Sequence, residues 1–189
     1  MLLLVRHAMP LASELTPANQ WPLSPDGLRA ADRLRSRLPH DAELVASDAR
    51  RAYETVGGLD GVVERDSRFN EIARPDEPWG GDYREPRRRY VEGIAQPGWE
   101  PQRDAAARFD AGVADLQGRF GGRPIVIGTH GMALTVWLVR IGAVAPDEAA
   151  VFWAGLRYPD CIEVRTDGPA WTRFDDAGRN SADLMPREH

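Results

Sequence analysis

Three short apolar runs in this chain lack the polar alternation of a half-exposed strand: residues 2–5 in LLLVRH, 44–46 in AELVAS and 125–128 in IVIGTH. Such runs suit strands covered on both faces, as in a parallel sheet held between helical layers. Between them the spacing turns helical. WPLSPDGLRAADRLRSRL puts Leu28, Ala31, Leu34 and Leu38 on one face, after a start where Ser24 can cap and Pro25 suits the first helical position. ARRAYETV predicts a helix with Ser47 and Asp48 as candidate caps and with Arg50 and Arg51 in or near its first turn. Phe109, Val113, Leu116 and Phe120 mark a longer helix that ends at Gly121-Gly122, and MALTVWLVRIG is apolar nearly all round, which predicts burial. GVVE is expected as a short edge strand. A helix at DEAAVFW and strands around CIEVRT and AWTRF complete the pattern, and the polar tail after Asp175 is expected to be loose. Strands alternating with helices predict the α/β class, a three-layer α/β/α domain with a mostly parallel sheet flanked by helices.

One stretch breaks the pattern. Residues 72–101 hold five prolines with Gly80, Gly81, Gly93 and Gly98, which predicts an irregular excursion over the surface with one helix near residues 84–95. Trp79 and Trp99 either line a substrate pocket there or pin the excursion to the core. With 189 residues, 42% of them hydrophobic, and no internal repeat, residues 1–189 are expected to form a single domain.

Composition narrows the function. The apolar runs fall far short of the roughly 18 residues of a membrane span, and no signal-peptide pattern opens the chain, so a cytoplasmic protein with no membrane partner is expected. A net charge of −5 argues against nonspecific nucleic-acid binding. The triplet Arg87-Arg88-Arg89 reads as a solvated helix face, lone Cys161 as a packing residue in a strand, and His40 and His189 as exposed. All 24 basic residues are Arg. That excludes a Schiff-base lysine and the lysine-bearing phosphate loop, so an anion site here must be built from Arg, His and backbone amides.

The three buried strands each end in polar groups, and if they are parallel neighbours their ends converge. The convergence gathers Arg6, His7, Arg51 and His130. Two guanidiniums fork onto an anion's oxygens, and the helix that begins at Gly131 can add free amides, which describes a phosphate pocket. Flanking arginines disfavour an imidazolium, so His7 is expected to stay neutral and nucleophilic. His130 would donate to the charge that develops during in-line transfer. Glu71, in DSRFNEI, is the candidate acid for the leaving oxygen. Two histidines without a third ligand at familiar spacing make no metal site.

These residues resemble the histidine phosphatase superfamily, in the branch related to cofactor-dependent phosphoglycerate mutases. Arg6-His7-Ala8 after a buried strand resembles its opening motif, SDARRAYET supplies Ser47, Arg51, Ala52 and Thr55 in register, and Thr129-His130-Gly131 resembles its closing motif. PLSPDGLRAADRL matches a further segment, so the resemblance covers residues 2 to about 142. It implies a phosphohistidine on His7, a phosphate held by Arg6, Arg51, His130 and Gly131, and no metal or cofactor. The expected activity is that of a metal-independent phosphomonoesterase acting on a small phosphate ester. The rivals are a regulatory phosphate-binding module, a mutase and a phosphoprotein phosphatase. The chain departs from the family at Ala8, Met9, Pro10 and Ser13 and in ARPDEPWGGD, where Asp76, Glu77 and Asp82 are alternative acids.

Overall fold

The computed structural model describes residues 1–59, 62–165, 168 and 170–174. Among these residues six strands form one sheet in the order β3-β2-β4-β1-β5-β6, where β1 is Leu2–Arg6, β2 Glu43–Ala46, β3 Glu64–Arg65, β4 Ile125–Thr129, β5 Asp160–Val164 and β6 Trp171–Arg173. Strands β1 to β4 are parallel, with β4 between β1 and β2. β5 and β6 extend the sheet antiparallel from β1.

The missing polar alternation has the cause the sequence suggests. In β1, Leu2 and Leu4 face one core with Ile125 and Ile127, while Leu3 and Val5 face a second with Val126 and Ala46. The first core is closed by α4 (Gln102–Phe120) and α5 (Gly131–Arg140), and the second by α1 (Pro25–Arg35) and α2 (Arg50–Gly57). The helix layers on both faces make the three-layer α/β/α architecture. α5 buries eight of its ten residues, as its uniform apolarity requires. α1 starts as expected, with Pro25 first in the helix and Ser24 Oγ accepting from Gly27 N at 3.0 Å.

Three details depart from the sequence reading. α2 has Ala49 at its N-cap with no side-chain cap. Ser47 instead turns inward and Asp48 pairs reciprocally with Asn70, so tertiary partners outcompete the cap. The edge strand is only Glu64–Arg65, beyond most of GVVE, because the register with β2 sets Val45 against Glu64 and leaves Val62 exposed. Within 72–101 the helix α3 is Arg84–Val91, ending at the positive-φ Gly93. A last short helix, α6, spans Ala149–Ala154. Cys161 is buried in β5 and His40 is exposed, as expected, whereas His189 and the tail after Asp175 lie outside the described residues.

Candidate active site

The C-terminal ends of β1, β2 and β4 lie side by side, so the residues that follow them meet. His7 continues the ladder, its N–H donating to Thr129 O at 3.0 Å. His130 follows β4, and the two imidazole centroids stand 5.2 Å apart. Arg51, in the first turn of α2, lies between them. Its Nε donates to His7 Nε2 at 3.1 Å and its terminal nitrogen to His130 Nδ1 at 3.2 Å.

Those bonds fix both tautomers. His7 Nδ1 faces Ala8 O at 2.8 Å, and a carbonyl only accepts, so the proton sits on Nδ1 and Nε2 keeps its lone pair. A guanidinium only donates, so His130 Nδ1 carries a lone pair and its Nε2–H donates to Ser47 Oγ at 2.7 Å. Burial drives both imidazoles well below the ordinary histidine pKa, and Arg51 adds to this by disfavouring a second positive charge. The Ala8 backbone turns away to donate its N–H to Thr55 Oγ1 at 2.9 Å, which couples the residue after His7 to α2.

Arg6 is buried to 8% exposure and its terminal nitrogen donates to Leu156 O at 2.8 Å. Its Nε is a buried donor without a partner among the described residues. Burial lowers its pKa, while Tyr158, stacked 3.6 Å from the guanidinium carbon, works in the opposite direction. An ideal Cβ on Gly131 would approach Arg6 Nε to 3.2 Å, so a glycine there keeps the side of the guanidinium open.

Glu71 also reaches this centre, by an unexpected route. Its carboxylate accepts from Ala133 N at 3.0 Å and from Met132 N at 3.4 Å, and so caps α5. Of the amides at the start of α5, those of Met132 and Ala133 are therefore bonded to Glu71, and that of Gly131 is not. Of the alternative acids, Glu77 is bound by Arg74 and Arg87, Asp82 accepts from Arg84 N, and Asp76 is exposed. Two clefts adjoin the centre. The larger, about 740 Å³, is lined by Arg51, Glu71, Arg74, His130, Trp21 and Trp79 among others, and the smaller, about 400 Å³, by Arg6, Tyr158, Trp153 and Arg87. The two excursion tryptophans thus divide the roles left open for them: Trp79 lines the larger cleft, while Trp99 packs on Tyr90 and the core.

Sequence reasoning missed Tyr158, which stands 5.5 Å from the His7 ring, and Arg74, whose charge bears on both Arg51 and His130. Tyr158 precedes β5, and its position follows from β5 pairing antiparallel to β1 with Asp160 opposite Arg6. No local signal carries that register. Among the described residues no three His, Cys, Asp or Glu side chains are grouped to hold a metal ion, and no helix is long and apolar enough to cross a membrane.

Comparison with solved structures gives the same fold. A mycobacterial glucosyl-3-phosphoglycerate phosphatase superposes with a TM-score of 0.64 at 22% identity, covering 91% of this chain and 95% of that one. A phosphoserine phosphatase mutant from Entamoeba histolytica, solved with phosphoserine, gives 0.64 at 15% identity and covers 94% and 97%. YhfR from Bacillus stearothermophilus gives 0.66 at 22% identity and covers 91% and 94%. No protein curated for function matches the chain in sequence. The profile of the histidine phosphatase superfamily, branch 1, matches residues 2–176, and with nearly the whole chain so matched the protein belongs to that superfamily.

Proposed function

We propose that the protein is a metal-independent phosphomonoesterase that releases phosphate from a small phosphorylated molecule through a phosphohistidine on His7. The observation that carries this reading is the state of His7: neutral, with Nδ1–H fixed by Ala8 O and the Nε2 lone pair turned toward Arg51. Two phosphatases of the same fold lend support, one of them solved with phosphoserine.

In this state Arg51 bonds to both imidazoles and so occupies the flank of the nucleophile. A phosphoryl group entering there offers the guanidinium charged oxygens in place of neutral nitrogens, and charge-assisted bonds are the stronger ones. Arg51 is therefore expected to swing onto the phosphate as His7 Nε2 is uncovered. Arg6 Nε supplies a further donor. With Arg51 withdrawn, His130 can donate from Nδ1 once it exchanges protons with solvent, Nδ1 gaining one as Nε2 loses one, and the Ser47 hydroxyl then rotates to donate to Nε2. The P–N bond to His7 forms as the P–O bond to the alcohol breaks, and the alkoxide takes a proton that Glu71 relays from solvent. Water then attacks phosphorus and passes a proton through Glu71 back to solvent, and the P–N bond breaks to return neutral His7 and inorganic phosphate.

The deciding experiment measures phosphate release from p-nitrophenyl phosphate in the presence of EDTA. Wild type should turn over, and His7→Ala should lose on the order of 10³-fold or more in kcat, the scale of removing a nucleophile. Full activity in His7→Ala would sink the reading. Vanadate binding without hydrolysis of any ester would favour the regulatory module instead.

A further inference from the structure

We propose that the larger cleft selects phosphate esters whose alcohol carries an amine or quaternary ammonium group, an inference that rests on the phosphomonoesterase reading above. Arg74, 3.1 Å from Glu77, shares that carboxylate with Arg87, so the group keeps one positive charge, and Glu71 is bound to the amides of α5. That leaves Glu14, Asp48 and Asp76, which line the cleft with no cationic partner among the described residues. Asp48 bonds only to neutral groups of Asn70, and Glu14 and Asp76 are exposed. So the floor presents the cationic Arg51 to a phosphate, while on the walls and rim three carboxylates outnumber the one positive charge left on the Arg74–Glu77–Arg87 group.

An aromatic corner stands in the same cleft. Trp21 and Trp79 meet edge to face, with centroids 6.2 Å apart and planes at 88°. Trp21 is held by Nε1 donating to Ser13 O at 2.9 Å and Thr16 O at 3.0 Å, while Trp79 remains 57% exposed. Two indole faces at right angles offer negative π surfaces to an alkylammonium group, in a cleft that carboxylates also line. A carboxylate in that position would meet like charge, and a hydroxyl would gain neither attraction. At about 740 Å³ the cleft admits alcohols of many sizes, so charge discriminates where size does not.

The test compares three esters with the same two-carbon skeleton: phosphoethanolamine, ethyl phosphate and phosphoglycolate. At low salt, kcat/KM is expected to fall in that order, with roughly tenfold or more between the ends, and the spread should narrow as salt is added. Trp79→Ala, and separately the double variant Glu14→Gln with Asp76→Asn, should lower the ratio of phosphoethanolamine to ethyl phosphate about threefold or more. These side chains are exposed, so folding is not at stake. Phosphoglycolate turned over as well as phosphoethanolamine, or a ratio unchanged in both variants, would overturn the inference while leaving the phosphomonoesterase standing. No turnover of these esters or of p-nitrophenyl phosphate would bring down both.

Discussion

His130 is fully buried with both ring nitrogens committed, and Ser47, also fully buried, holds one of them. A serine hydroxyl both donates and accepts, so Ser47 can serve either tautomer of the ring, which a methyl cannot. Ser47→Ala leaves a buried ring N–H without a partner, a cost of about 1–3 kcal/mol. It should lower stability by that amount in urea titration and reduce kcat about tenfold or more. Unchanged kcat in a folded variant would show that His130 needs no such partner. Tyr158 gives a second case, because its ring covers the Arg6 guanidinium while remaining partly exposed, a contact worth about 0.5–1 kcal/mol. Tyr158→Leu should raise KM a few-fold and Tyr158→Phe much less. Arg6, His7, Arg51 and His130 were legible in the sequence because each follows a buried strand or opens the helix after one. Tyr158 was not legible, since it belongs to a loop whose place depends on a pairing between strands about 150 residues apart.

At the level of elements, the segment bearing Glu71 is positioned by packing rather than by its own propensity. Thr129 Oγ1 donates to Phe69 O at 2.8 Å, and the fully buried Phe69 ring packs against Phe109 and the backbone of α4 at Gly112. A Cβ on Gly112 would lie 2.7 Å from Phe69 Cζ, closer than van der Waals contact allows. Gly112→Ala should therefore cost about 1–3 kcal/mol by overpacking and disturb the loop leading to Glu71. Gly118, on the same helix, has nothing within 4 Å of its would-be Cβ, and Gly118→Ala should gain about 0.5–1 kcal/mol from helix propensity. Thermal unfolding of the two variants checks the pair, and shifts of the same sign would refute this account of packing. The sequence reading found α4 from its apolar spacing, but it could not see that one glycine on it makes room for Phe69. The capping role read for Ser47 and Asp48 failed for a related reason: local chemistry offered a cap, and the neighbouring sheet and loop offered better partners.

For the molecule as a whole, the buried pair of neutral imidazoles ties stability to pH. His7 and His130 have folded pKa values pushed well below their ordinary value near 6.5, chiefly by burial and next by Arg51. Below about pH 6.5 the unfolded chain takes up protons that the folded one refuses, so stability falls as pH falls through that window. Each histidine contributes up to about 1.4 kcal/mol per pH unit there, and the two together up to about 2.7. The carboxylates whose pKa is lowered in the fold, Glu64, Asp66, Glu77 and Glu100, act in the same direction but only once pH drops toward their ordinary values near 4. The interval from about pH 6.5 to about pH 5 therefore isolates the histidines. Urea unfolding across it should show a steep loss for wild type and roughly half that slope for His130→Gln, which removes one of the two titrating rings. A flat profile would mean that the imidazoles take up protons in the folded state, and the lone pair on His7 that the proposed chemistry requires would then be lost in the same range.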